Sequence, residues 1–320
     1  MRRGADPELT LLKRVGLIGC GVVGARLGVR LLRAGFELRI HDRHREKGEP
    51  LLAQGADWAD SPAELARGRE ALVSALPRAA DLEDALVGNR GAWSATAPGT
   101  VHVDTSTIGV SAARTLAAEA RRRRLRYLDA PLSAAEASLA GPRLALFVAG
   151  NADHFDLAAP LLRALAEHVH YLGGPPGTGQ AVKLVNNLVS HCLTVILGDA
   201  LALGLKSGVP IELLRGALHD GTAQSRLLDE LLPASAFRGD WRPGLRLDLA
   251  LKDLALAGEL AEETGIPQSL LREVRARFEE AQARGWGAHS SHAVLRLVEE
   301  SAGVSYVSPI FQRAQETPDF

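Results

Sequence analysis

The apolar positions of this chain fall in short runs separated by helical patterns. Val15 to Gly19 is nearly all apolar and ends on glycine, which reads as a buried strand entering a turn. Ala25 to Ala34 has a helical pattern, and Glu37 to His41 reads as a second strand. Further strands are predicted at Ala71–Leu76, stopped by Pro77, at Thr100–Asp104, and at Leu125–Ala130, closed by Pro131. Ala145–Ala149 and His168–Leu172 extend the series, and Ser111–Arg124 reads as a helix. Strands alternating with helices of this length predict an α/β domain built on a doubly wound parallel sheet with helices on both faces.

The pattern changes at Gly173-Gly-Pro-Pro-Gly-Thr-Gly179, a glycine–proline cluster of the kind that separates domains. Gln180 to Lys206 contains no proline and only two glycines, Gly198 and Gly204, and is apolar around most of its circumference, as expected of a long buried helix. Helical patterns follow at about 210–220, 224–232, 248–264, 267–284 and 291–300. Two domains are therefore expected, 1–175 as α/β and 176–320 as all-α. Residues 303–320 are less patterned, with prolines at 309 and 318, and read as a loose tail or a strap over a partner.

Composition narrows the classes. A chain of 320 residues can bury a large core, and a net charge of −1 gives no argument for a nucleic-acid or membrane partner. The run Arg121–Arg124 reads as a solvated helix end. Two cysteines, Cys20 and Cys192, make no disulfide framework and suit a reducing compartment. Residues 1–12 lack the apolar core of a signal peptide, and no apolar run reads as long and uninterrupted enough to span a membrane, so a cytoplasmic location is expected. His168 and His170 share a strand face, but no further ligands are near in sequence, and no metal site is expected.

The first strand leads into Gly19-Cys20-Gly21-Val22-Val23-Gly24, a G-x-G-x-x-G frame. The first glycine allows the tight bend, the second lets backbone approach a pyrophosphate, and the third lets helix pack on strand. Asp42 follows Gly24 by 18 residues, near the spacing of a carboxylate that binds an adenosine ribose. The turn therefore predicts a Rossmann dinucleotide site. Lys183 and Asn187 lie four apart in a largely apolar helix and share a face. Burial lowers a lysine's pKa and fits it for proton transfer near neutrality. The bland alternative is a lysine snorkelling out of the helix end beside a capping asparagine.

With these motifs in view, the chain resembles the β-hydroxyacid dehydrogenase family, which includes 3-hydroxyisobutyrate dehydrogenase, tartronate-semialdehyde reductase and 6-phosphogluconate dehydrogenase. The resemblance runs from about Val15 to Glu300. It rests on the glycine turn, Asp129-Ala-Pro-Leu-Ser133, Gly177-Thr-Gly-Gln-Ala-Val-Lys183 with Asn187, and Lys252-Asp-Leu-Ala-Leu-Ala257, with Leu76-Pro77 and Asp104-Thr-Ser-Thr107 also fitting. It implies a Rossmann domain followed by an all-α domain that dimerises. It also implies Ser133 on a substrate carboxylate, Lys183 as general acid/base, Asn187 holding the substrate, and Leu76, Pro77, Thr107 and Lys252 near the cofactor. The departures are local. Ala134-Ala135-Glu136 stands where Gly-Gly is usual after the serine, and Pro142, after Gly141, where glycine is usual. Ser290 and His292 replace an Asp and a Ser, and His289 and His292 read as surface or capping residues.

The expected reaction is hydride transfer between a nicotinamide and a small β-hydroxyacid or related carbonyl compound. Glu136 beside Ala134-Ala135 disfavours large anionic substrates such as sugar phosphates. An imine reductase of the same fold, or a non-catalytic dinucleotide-bound scaffold, are the alternatives, and Lys183 counts against the first. For the cofactor, Asp42 favours NAD and Arg43 favours NADP. Asp42 could also turn aside to pair with Arg45. The balance leans to NAD with NADP tolerated.

Overall fold

The computed structural model describes residues 12–133, 144–242 and 244–313. These fall into two compact units, the first running to Lys183 and the second starting at Leu184.

The first unit is built on six parallel strands: β1 (Arg14–Ile18), β2 (Glu37–His41), β3 (Asp57–Trp58), β4 (Ala71–Ser74), β5 (Val101–Asp104) and β6 (Arg126–Asp129). Their order is β3-β2-β1-β4-β5-β6, the doubly wound arrangement with its reversal between β1 and β4. β4 and β5 are buried at every position and β1 at all but Arg14, as strands covered on both faces must be. The crossovers hold α1 (Val22–Arg33), α2 (Glu49–Leu52), α3 (Pro62–Ala66), α4 (Ala79–Val87) and α5 (Val110–Arg122). α1 buries Gly24, Leu27, Gly28 and Leu31, one stripe at helical spacing. Ser61 caps α3 by accepting the Glu64 N–H.

Two strands expected in this sheet lie elsewhere. β7 (Leu132–Ser133), β8 (Ala145–Val148) and β9 (His168–Tyr171) form a separate three-stranded sheet, with β7 and β8 antiparallel, and α6 (Ala152–Leu165) joins β8 to β9. The chain turns out of the large sheet at Pro131, which has no N–H to continue a ladder and whose carbonyl accepts the Phe147 N–H. A single bridge, Asp129 to Ala149, ties β6 to this sheet. The edge strand β3 has no apolar alternation to announce it.

α7 (Thr178–Lys206) runs from the first unit into the second, and the units divide within it, after Lys183. The glycine–proline segment 173–179 forms the approach to this helix. The second unit continues with α8 (Ile211–Asp220), α9 (Leu232–Ala234), α10 (Leu247–Thr264), α11 (Ser269–Ala281), α12 (Arg296–Ala302) and α13 (Pro309–Arg313). Its core gathers Leu184, Leu201, Phe237, Leu247, Phe278 and Leu295. By length and composition α7 is apolar enough to cross a membrane, which corrects the sequence reading. Its inward residues, such as Leu184, Leu197 and Leu201, belong to the core of the second unit, while Val185, Val189, Ile196 and Leu203 are exposed.

Two further expectations change here. The segment after Gly303 is not loose as far as residue 313: Tyr306 is fully buried, and its hydroxyl donates to the Gly198 carbonyl at 2.9 Å. Gly198 leaves room for Leu295, since a Cβ at that position would stand 2.5 Å from it. Residues 314–320 lie outside the described residues. His292 is not a surface residue either. Its Nδ1 lies 2.9 Å from Ser235 Oγ, whose own proton goes to the Leu231 carbonyl, so the ring nitrogen is the donor. Burial, with His191 nearby, pushes this imidazole down to about 4 and keeps it neutral. Ser290, rather than either histidine, caps the turn by accepting the His292 N–H.

Candidate functional site

The glycine turn has the shape its sequence predicts. Gly19 has φ +96°, and a Cβ there would lie 2.5 Å from the Ala75 carbonyl oxygen. A Cβ on Gly24 would stand 1.9 Å from the Gly19 carbonyl oxygen, so only glycine lets α1 pack this close to β1. A Cβ on Gly21 would meet nothing within 4 Å. Gly21 is also the cap of α1, with no side chain satisfying the helix's first N–H groups and no acid in the first turn. Val22 and Val23 open the helix there. Open backbone with unsatisfied N–H groups and the positive end of the helix dipole fits the pyrophosphate of a dinucleotide. Cys20 is buried, and burial, with Asp42 adding, pushes its thiol up to about 12, so it is not a nucleophile.

Asp42, just past β2, is fixed from two sides. Its Oδ2 accepts the Cys20 N–H at 2.8 Å and its Oδ1 the His44 N–H at 2.9 Å. Lys47 Nζ stands 3.9 Å from Oδ1. Arg45 does not pair with Asp42: its guanidinium lies over the Trp58 ring, 5.0 Å from the centroid. Arg43 pairs with Asp81, in the first turn of α4, at 3.0 Å.

At the C-terminal ends of β4 to β6, where ligands of such sheets bind, a buried network sets the loops. Asp104 accepts from Ser74 Oγ at 2.8 Å, the Ser106 N–H at 3.1 Å and Tyr127 Oη at 3.0 Å. Burial raises this carboxyl and those donors pull against it. Ser106 Oγ in turn accepts the Leu76 N–H at 3.0 Å, which sets the Leu76-Pro77 turn, and Thr107 follows in the same loop. Asp129 fastens the start of α7. One oxygen accepts the N–H groups of Gly177 (2.7 Å) and Gln180 (3.2 Å), the other the Gln180 carboxamide (2.7 Å). Gln180 Oε1 accepts the N–H groups of Ile108 and Gly109. Burial carries Asp129 up to about 6 against the bonds from Gln180 and Gly177. Lys183 sits one turn beyond Gln180 on this pinned helix and is 8% exposed. A snorkelling lysine would reach solvent. Ser133 ends β7, half-buried, opposite Ala145. Ala134, Ala135, Glu136, Gly141 and Pro142 lie outside the described residues.

In the second unit Asn187 is buried and is not a cap. Its Nδ2 donates to Asp253 Oδ2 at 2.6 Å and its Oδ1 accepts from Asn186 at 3.0 Å. The other Asp253 oxygen faces Lys252 Nζ at 3.0 Å, an ion pair without hydrogen-bond alignment. Asp253 therefore orients both Asn187 and Lys252. Sequence reading passed over it, although it stands beside Lys252 in the quoted motif, as it passed over Gln180 and Asp81. Asp253→Ala should lower kcat/KM roughly 10- to 100-fold, the cost of a lost hydrogen bond to a charged group. Steady-state kinetics beside a thermal melt check this; an unchanged kcat/KM would remove Asp253 from the site.

Comparison with known proteins agrees with this geometry. Residues 14–173 match the family of the NAD binding domain of 6-phosphogluconate dehydrogenase, and residues 177–298 match a second family, described as NAD-binding of NADP-dependent 3-hydroxyisobutyrate dehydrogenase. The NAD-dependent L-serine dehydrogenase of Pseudomonas aeruginosa is 32% identical over 78% of this chain and 86% of its own length. The 2-(hydroxymethyl)glutarate dehydrogenase of Eubacterium barkeri is 29% identical over 91% of this chain and 97% of its own. The Mycobacterium tuberculosis 3-hydroxyisobutyrate dehydrogenase structure, solved with L-serine, superimposes with a TM-score of 0.80 at 25% identity, over 90% of this chain and 99% of that one. A dinucleotide turn, a pinned lysine helix and matches along both units have one meaning together: the chain belongs to the β-hydroxyacid dehydrogenase family of NAD(P)-dependent oxidoreductases.

Proposed function

We propose that the chain interconverts a small β-hydroxyacid and its oxo form, with Lys183 moving the hydroxyl proton. The observation that carries this reading is a buried lysine one turn into a helix whose first turn is pinned by Asp129 and Gln180. When bound, the nicotinamide cofactor supplies the two-electron hydride chemistry. Neutral Lys183 accepts the alcohol proton during oxidation and returns it during reduction. Ser133 takes the substrate carboxylate, and Asn187, oriented by Asp253, holds the substrate. Gly19 to Gly24 cradle the pyrophosphate, and Asp42 accepts from the ribose hydroxyls. Leu76, Pro77, Thr107 and Lys252 lie along the cofactor. On this reading the first 175 residues bind the dinucleotide, and the rest serve substrate and self-association. NAD is preferred and NADP accepted.

The relatives that act on L-serine and 2-(hydroxymethyl)glutarate support a small carboxylate carrying a primary hydroxyl. Oxidation of reduced cofactor across aldehydes, 3-oxo acids and cyclic imines tests this. Turnover should be confined to small oxo acids and their aldehydes, and efficient oxidation of 6-phosphogluconate in the reverse direction should be absent. Turnover of cyclic imines alone would make the chain an imine reductase, and a flat panel a nucleotide-bound scaffold.

We also propose a cytoplasmic homodimer formed through the helical unit. Val185, Val189, Ile196 and Leu203 expose an apolar stripe along one face of α7, which a second copy would cover.

A further inference from the structure

We propose that Asp81 sets the choice between NAD and NADP by holding Arg43. The inference rests on the reading that Asp42 and Arg43 face the adenosine ribose. Each basic side chain of the loop after β2 has a partner. Lys47 faces Asp42, Arg45 lies on Trp58, and His44 stands 3.5 Å from Glu46. Arg43 alone is held by a carboxylate from outside the loop, Asp81, on the element that follows Leu76-Pro77. Asp42 is instead oriented by the N–H groups of Cys20 and His44, with Lys47 as its cation.

The two partners differ in freedom. The Arg43 side chain is 71% exposed and able to swing, whereas that of Asp81 is 19% exposed and anchored at a helix start. A 2′-phosphate needs a cation in a fork geometry, which arginine offers. Here the phosphate must take Arg43 from Asp81 before gaining it. NAD makes no such demand and leaves the pair intact. Asp81 is thus a specificity residue acting through Arg43, and it tilts a loop rich in positive charge toward NAD.

The test is kcat/KM for both cofactors in the wild type, Asp81→Asn, Arg43→Gln and the double variant, at low and at high salt. Asp81→Asn should raise the NADP-to-NAD ratio by about fivefold, the upper range for freeing an exposed ion pair, and less at high salt. Arg43→Gln should lower that ratio, and the double variant should match Arg43→Gln, because without Arg43 there is no cation for Asp81 to hold. Asparagine can still serve at a helix start, and Asp81→Ser repeats the test should Asp81→Asn melt early. If Arg43→Gln lowers the ratio while Asp81→Asn and Asp81→Ser leave it at the wild-type value, Asp81 has no such role and the ribose assignment stands. If Arg43→Gln also changes nothing, the placement of Arg43 at the ribose fails and this inference with it.

Discussion

Lys183→Met should reduce kcat by about 100- to 10,000-fold, the range for loss of a general acid/base, while the cofactor dissociation constant stays close to that of the wild type. Methionine keeps the length and apolar stem of lysine, so it removes the proton carrier with little disturbance to the packing of a side chain that is 8% exposed. Lys183→Ala should lose as much activity and more stability. Both substitutions leave the glycine turn and Asp42 untouched, which is why cofactor affinity is spared. The helix also stays in place, since Asp129 and Gln180 bind its first turn through the backbone and Gln180's own side chain. Steady-state kinetics with the preferred substrate, beside a fluorescence titration of the reduced cofactor, separate the two effects. A near-wild-type kcat in Lys183→Met would remove the lysine from the chemistry and leave only a packing role.

Much of the first unit was legible because its signals are local. Val15 to Gly19 announces a buried strand by being apolar throughout, and the glycines fill roles that geometry enforces at Gly19 and Gly24. The split into two sheets was not legible. Ala145–Val148 and His168–Tyr171 look like strands, but which neighbour each pairs with depends on where the chain turns at Pro131. Tyr306 was hidden for a related reason. One aromatic among serines has no period, and its burial depends on Gly198, far away in sequence.

The site divides the same way. The motif residues proposed to face a ligand could be named from the sequence, because their types follow from the chemistry. The residues that orient them were missed. Asp253 is one acid beside a lysine, and nothing local says that it reaches Asn187 on another helix. Asp81 is one acid in a helix's first turn, a place where acids are favoured without any partner. A guess from charge alone joined Asp42 to Arg45, whereas backbone N–H groups hold the aspartate and an indole ring holds the arginine.

The glycine turn makes a second large prediction, because two of its glycines should fail in opposite ways. Gly24→Ala places a methyl 1.9 Å from the Gly19 carbonyl oxygen and 2.8 Å from its carbon. Both contacts are backbone, so strand and helix must part, at a cost of about 1–3 kcal/mol or more for overpacking. The apo protein should melt earlier, and cofactor binding should be lost with the turn. Gly21→Ala meets nothing within 4 Å, and its φ of −66° suits any residue. Its apo melting should therefore change little, by about 0.5 kcal/mol for the poorer helix cap. The methyl nonetheless occupies the space through which backbone would meet the pyrophosphate, so the dissociation constant of either cofactor should rise at least about tenfold, or 1.4 kcal/mol. Thermal melts without cofactor and titrations with NAD and NADP read both effects. Wild-type affinity in Gly21→Ala would mean that the dinucleotide does not lie against this turn.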